Sequence, residues 1–255
     1  MNERILHNGV VPIDNLNINL CLRKIKTVLD ERKTDQQVIT LTPKSYLLAL
    51  NNQEFLEVLN KAFLVVPESV LLRFYSFTKP PILERVSGIE LLNRILDECN
   101  QRQMNIALLG SGESQREHAK KNIKLRYPSI KVCSIPGNYN FHNTDDSKRI
   151  IDIMFDASPE FVIMAGKQTE AELWINRWLL GKGLNINLVA NFGQGIDIVG
   201  GVRQDYKLAR RLGFEWFLRV VFESNDFRSD RLRTFIAFGK MALFGKINKT
   251  GDNRG

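Results

Sequence analysis

The sequence predicts an α/β fold: a mostly parallel sheet with helices on both faces, plus a C-terminal basic amphipathic helical tail. Three observations predict it. Short, continuously apolar runs recur along the chain: QVITL (37–41), FLVVP (63–67), IALLG (106–110), KVCSI (131–135), FVIMAG (161–166) and INLVANFG (186–193). Each run closes on a proline, a glycine or a polar turn. Between the runs lie stretches with apolar residues at helical spacing. Strands that are apolar on both faces must be covered on both faces, and alternation with helices is how parallel sheets achieve that cover.

The elements follow in order. QVITL is β-branched and ends at Thr42-Pro43. SYLLALNNQEFLEVLNKA (45–62) reads as one helix, and FLVVP is the next strand. In GIELLNRILDECNQRQ (88–103), Ile89, Leu92, Ile95, Leu96 and Cys99 share one helical face. IALLG leads through a glycine turn into a helix that Pro128 stops, with Ser114 as a candidate cap. Cys133 reads as a buried strand residue. Trp174 and Trp178, in ELWINRW, read as helical core. The chain shows no internal repeat and no low-complexity segment. The expected organisation is one α/β domain over 1–200 and a helical appendage over 201–255.

Composition narrows the function classes. In 255 residues, 44% hydrophobic and 25% charged content is that of a soluble globular protein. Cys21, Cys99 and Cys133 are widely spaced, which fits neither a disulfide framework nor a zinc site. His7, His118 and His142 are scattered, so no metal cluster is expected. The N-terminus lacks a basic-then-apolar leader, and no run is long enough to span a bilayer, so a cytoplasmic location is expected. The formal net charge is +8. From Arg203 to Lys246, ten basic residues stand against five acids. That excess favours an anionic partner. In the same segment Phe214, Phe217, Leu218, Val221 and Phe222 form one helical stripe. Such a helix suits an anionic membrane surface; the alternative is packing on its own domain. Nucleic acid is not expected, since no motif for it accompanies the charge.

In parallel α/β sheets, ligands bind beyond the carboxyl ends of the strands. The residues there are Thr40 and Thr42, Glu68, Gly110-Ser111-Gly112, Gly166-Lys167, and Gly193-Gln194-Gly195 with Asp197. The LLGSGES turn (108–114) can hold a diphosphate on backbone N–H groups, or be an ordinary tight turn. It is neither a full dinucleotide fingerprint nor a Walker loop. Asp197 can bind a ribose or sugar hydroxyl, or simply turn the backbone. Glu68, after Pro67, can act as a general base or as a favourable charge at a helix start. By position alone these alternatives stay open.

Taken together, the segments resemble the WecG/TagA/CpsF family of bacterial glycosyltransferases. The resemblance rests on LVVPES (64–69), LERVSGIELL (83–92), IALLGSGES (106–114), LRYPSIKV (125–132), GQGID (193–197) and RRLGFEW (210–216), in that order. It runs from about Val11 to about residue 246. It implies a Rossmann-like fold. It also implies transfer of a hexose, hexosamine or uronic acid derivative from a UDP-sugar to a polyprenyl-diphosphate-linked acceptor, for surface polysaccharide synthesis at the inner membrane face. The enzyme would be peripheral, held to the anionic membrane by its tail, and the resemblance permits a homo-oligomer.

Carried over residue by residue, the resemblance makes Glu68 the base of an inverting transfer. Arg85 would hold substrate charge near it. Thr40, Thr42, Glu172 and Asp197 would shape the donor pocket, and the strand-end segments with Gly110, Ser111, Gly193 and Gln194 would bind substrate, their glycines accommodating the nucleotide diphosphate. Arg210 and Arg211 would meet phosphate or headgroups. No cofactor beyond the donor is expected and no strict metal requirement, because no Asp-x-Asp motif is present. The chain departs from the family pattern at three places. Glu68 replaces an aspartate, Thr42 an asparagine and Ala171 a glutamine. These departures imply either altered donor specificity or a catalytically degenerate member that partners an active transferase.

Overall fold

The computed structural model describes residues 4–75, 81–82, 84–135, 140–193, 195–199 and 201, with Arg233, Ile236, Ala237 and Gly239 beyond them. The chain divides into two compact units, Met1–Asp205 and Tyr206–Gly255. The amphipathic stripe of the tail, Gln194, Arg210 and Arg211 all lie outside the described residues.

The first unit opens with an antiparallel hairpin, β1 (Arg4–His7) and β2 (Val11–Asp14). Helix α1 (Ile18–Asp30) follows, then β3 (Gln36–Leu41), α2 (Pro43–Ala49), α3 (Gln53–Lys61), β4 (Leu64–Pro67) and α4 (Val70–Tyr75). The second half runs α5 (Gly88–Gln101), β5 (Asn105–Gly110), α6 (Glu113–Arg126), β6 (Lys131–Ser134), α7 (Thr144–Ala157), β7 (Phe161–Ala165), α8 (Glu170–Trp174), β8 (Leu188–Asn191) and α9 (Gly195–Val199). Strands β3 to β8 form one six-stranded sheet in the order β4-β3-β8-β7-β5-β6. Every pairing in it is parallel. The α/β architecture expected from the apolar runs is therefore the one observed.

Two apolar layers cover the sheet. On one face Val38, Leu64, Val66, Ile106, Leu108, Ile163 and Leu188 meet residues of α1, α5 and α6. On the other, Ala107, Leu109, Val162, Met164 and Val189 meet α7, α8 and the turn after α8. The alternation of these residues along each strand is the period-two geometry of a pleated strand with both faces buried. Each long helix buries one stripe: Cys21, Ile25, Val28 and Leu29 on α1, and Leu91, Leu92, Ile95, Leu96 and Cys99 on α5. Asn17 starts α1 by accepting a hydrogen bond from the Leu20 N–H at 2.9 Å. Lys26 of α1 and the buried Glu98 of α5 lock the two helices at 2.7 Å.

The hairpin protects the outer edge of the sheet. The Asp14 carboxylate accepts from Arg4 at 3.1 and 2.5 Å and from the Val65 N–H of edge strand β4 at 2.7 Å. An edge N–H is thereby paired inside the molecule, which blocks pairing with another chain.

Four local expectations change. The single helix over 45–62 is two, α2 and α3, because Asn52 accepts from the Phe55 N–H at 2.7 Å and so starts a new helix. The cap of α6 is Gly112, and Ser114 lies inside the first turn. Trp174 is core, but Ile175–Leu179 is a π-helical turn and Trp178 is only half-buried. Cys133 is likewise half-buried, since β6 is an edge strand.

Candidate active site

The carboxyl ends of β3, β4, β5, β7 and β8 gather most of the residues singled out in the sequence. They form two corners joined by a buried network.

The first corner lies at β4 and β3. The Glu68 N–H continues the ladder by donating to Leu41 O at 2.9 Å, which fixes Glu68 at the strand end. Its Oε1 accepts from the Gly88 N–H at the start of α5, 3.3 Å away. The approach is close: a Cβ at position 88 would stand 2.8 Å from Glu68 Oε1 and 3.4 Å from the Thr40 methyl, so a side chain there would displace the carboxylate. Thr40 is buried at the last turn of β3. Thr42 caps α2 in a reciprocal box with Ser45. Gln168 reaches in from the loop after β7. Its Nε2 donates to Thr40 O at 2.6 Å, and its Oε1 accepts from the Thr42 hydroxyl at 2.7 Å. Arg85 lies half-buried on the segment leading into α5.

The second corner lies at β5 and α9. Gly110 has φ +81°, and a Cβ there would meet Ala165 O at 2.4 Å. Only glycine permits that fold of the turn. Ser111 also has positive φ, and its N–H donates to Ala165 O at 3.0 Å. Its hydroxyl donates to Asp197 Oδ1 at 3.1 Å, tying β5 to α9. Beneath the turn sits Arg116, 1% exposed. Its Nη1 donates to Ser111 O at 2.7 Å and Gly110 O at 3.2 Å. Among the described residues, its Nε and Nη2 have no hydrogen-bond partner. A buried guanidinium without a carboxylate is costly. It also adds positive charge beside the N-terminus of α6, where the helix dipole already favours an anion.

The network between the corners is built on Asn191 at the end of β8. Its Oδ1 accepts from the Gly166 N–H at 3.0 Å and the Gly193 N–H at 3.1 Å, fixing the turns after β7 and β8 together. Its Nδ2 donates to Glu172 Oε1 at 3.2 Å. Glu172 Oε2 accepts from the Thr169 N–H. Glu172 is 1% exposed. Burial pushes its carboxyl up to about 7, against the bonds from its own backbone, Asn191 and Thr169 that favour the charged form. Its geometry thus places it in the buried network, holding the loop that carries Gln168.

Of the residues read from sequence, Glu68, Thr40 and Thr42 meet at one corner and Gly110, Ser111 and Asp197 at the other, with Gly193 and Glu172 in the network between. Sequence reading missed Gln168, Arg116 and Asn191. Gln168 stood one residue past the Gly166-Lys167 pair already marked as a strand end. Arg116, in a helix of mostly polar and charged residues, carried no local signal of burial. Among the described residues, no group of three or more His, Cys, Asp or Glu could hold a metal ion.

A wholly parallel, doubly covered sheet with a carboxylate, hydroxyls and glycine turns collected past its strand ends has its candidate ligand site where α/β enzymes of this architecture carry theirs. The chain matches the model of the glycosyl transferase WecG/TagA/CpsF family over residues 7–249, and it belongs to that family. It is a glycosyltransferase. The N-acetylglucosaminyldiphosphoundecaprenol N-acetyl-beta-D-mannosaminyltransferases of Staphylococcus aureus strains MRSA252 and NCTC 8325 are each 23% identical to it over 216 residues, 84% of this chain and 83% of theirs.

Proposed function

We propose that this chain transfers a hexose, hexosamine or uronic acid derivative from a UDP-linked donor to a polyprenyl-diphosphate-linked sugar in bacterial envelope polysaccharide synthesis. The names of the Staphylococcus aureus relatives, which act on a diphosphoundecaprenol-linked N-acetylglucosamine, support the acceptor class. The observation that carries the reading is Glu68: a strand-end carboxylate, anchored through Oε1 by Gly88 and set beside Thr40.

In the proposed reaction, the Glu68 carboxylate takes the proton of the acceptor hydroxyl. That oxygen bonds to the anomeric carbon from the face opposite the leaving group. The bond from this carbon to the β-phosphate oxygen breaks, and UDP leaves with the electron pair, inverting the centre. The diphosphate lies at the Gly110-Ser111 turn, where Arg116 supplies uncompensated charge. Asp197 meets the ribose hydroxyls, and Arg85 faces acceptor charge. Gly193 completes the phosphate side within the first unit.

Glu68→Gln tests the base. Turnover with a UDP-hexosamine and a lipid-diphosphate acceptor should fall about 10²–10⁴-fold, with UDP affinity unchanged. Undiminished turnover would remove Glu68 from the mechanism. A wild-type protein that binds UDP yet turns over no UDP-sugar would mean a degenerate member that partners another transferase.

The basic segment from Arg203 onward is the membrane contact in this proposal, and the enzyme works at the cytoplasmic face. Among the described residues no helix is long and apolar enough to cross a membrane. Truncation near Arg203 should abolish co-sedimentation with anionic vesicles while circular dichroism of the remaining domain is retained. Continued pelleting of the folded truncated protein would place the contact elsewhere.

A further inference from the structure

Resting on the donor reading above, we infer that Gln168 is the residue that grips the sugar ring of the UDP-linked donor, aimed into the pocket by a strained turn and held there by Thr42.

The argument starts from hydrogen-bond capacity. A threonine hydroxyl has one proton and two lone pairs. The proton of Thr42 goes to Gln168 Oε1 at 2.7 Å, and one lone pair takes the Ser45 N–H at 3.3 Å. Thr42 therefore has no donor left for a ligand. Gln168 does. Its amide has two N–H groups and two lone pairs on oxygen. One N–H goes to Thr40 O at 2.6 Å and one lone pair to Thr42. One donor and one acceptor remain on a half-buried side chain beside Glu68's corner. The amide orientation is fixed chemically. Thr40 O is a backbone carbonyl that can only accept, so the nitrogen must face it. A paired donor and acceptor on one rigid plane suits a ring hydroxyl or an N-acyl group.

The backbone sets the aim. Thr169, the next residue, has φ +79° and ψ −58°. These are the dihedrals of the strained form of the γ-turn. For a β-branched residue they are costly and persist only where the surroundings hold them. Here the buried Glu172 carboxylate takes the Thr169 N–H, and Asn191 holds Glu172. The strained turn throws Gln168 across the end of β8 to reach β3, 128 residues back in sequence. Three positions further on, Ala171 is buried beneath Gly166 and offers no side-chain polar group.

The test is a calorimetric comparison of UDP and UDP-N-acetylmannosamine, with other UDP-hexosamines alongside, on wild type, Gln168→Ala, Gln168→Asn, Thr42→Val and Gln168→Ala/Thr42→Val. Melting curves confirm folding. The wild type should bind at least one UDP-hexosamine more tightly than UDP. Gln168→Ala should weaken that sugar nucleotide roughly tenfold and leave UDP within about twofold, the scale of one hydrogen bond. Gln168→Asn, one methylene short of both anchors, should behave likewise. Thr42→Val should cost less, and nothing further when added to Gln168→Ala, because it acts through Gln168.

Equal losses for UDP and UDP-sugar would overturn the assignment and leave Gln168 a wall of the pocket. Additive losses from Thr42→Val would make Thr42 itself the contact. A wild type that binds UDP but no UDP-hexosamine more tightly would also sink it, with the nucleotide site intact. No UDP binding at all would overturn the donor reading before any variant is compared.

Discussion

The two corners of the site are built on opposite principles. At the ends of β3 and β4 the polar groups hold one another in place: Gln168, Thr40, Thr42 and Ser45 exchange hydrogen bonds, Glu68 is anchored on Gly88, and one donor and one acceptor of Gln168 stay open. At the end of β5 a buried guanidinium has two nitrogens without partners among the described residues. The first corner is rigid before any ligand arrives, which suits a place where geometry decides the reaction. The second carries an unmatched charge, which suits a place where an anion binds. The comparison teaches that one site can assign orientation to a cross-braced network and attraction to an unmatched charge.

The sharpest way to break this contrast is Arg116→Met. Removing the charge should weaken UDP roughly tenfold while leaving uridine unchanged, and should reduce the salt dependence of UDP binding. Isothermal titration of both ligands at two ionic strengths reads it. Equal affinities for UDP in variant and wild type would show the charge to be structural, and the contrast would fail.

A smaller effect sharpens the picture of the network beneath both corners. Glu172 is raised from 4.5 to about 7 by burial. Between those values the folded state binds more protons than the unfolded one, so this group's contribution to stability is full below about 4.5 and is lost as pH rises through about 7. His7 acts in the opposite sense. Burial lowers it from 6.5 to about 4, so its contribution is present above 6.5 and is lost as pH falls through about 4. Urea midpoints across that window should therefore vary little in the wild type. In Glu172→Gln the opposing limb is gone, so stability should climb with pH over the same window. Parallel curves for the two proteins would mean that Glu172 does not titrate there.

Much of the site was legible because it is local. Glu68, Thr40, Gly110, Ser111 and Asp197 each stand at or just past the end of an apolar run, and position past a strand end is a property of the chain itself. The missed residues are different in kind. Gln168 matters because of Thr40 and Thr42, 128 and 126 positions away. Arg116 reads as one more cation on a polar helix until the Gly110-Ser111 turn folds onto it. Asn191 looked like the polar end of a strand until Gly166 and Gly193 converged on it.

The sequence by itself determined the fold class and the places of the sheet strands. Runs with both faces apolar, alternating with 3.6-residue periodicity, admit a covered parallel sheet and little else. Glycines at positions such as Gly110 marked turns that only they can make. Tertiary structure alone decided which strand lies beside which. Sheet order places the ends of β3, β8 and β7 side by side, and that adjacency creates the Gln168 bridge, the Asn191 network and the burial of Glu172. The physical reason is range. Backbone periodicity and turn chemistry act over a few residues and are written locally. Desolvation and cross-strand hydrogen bonding depend on the whole packed sheet, so they are settled only when it closes.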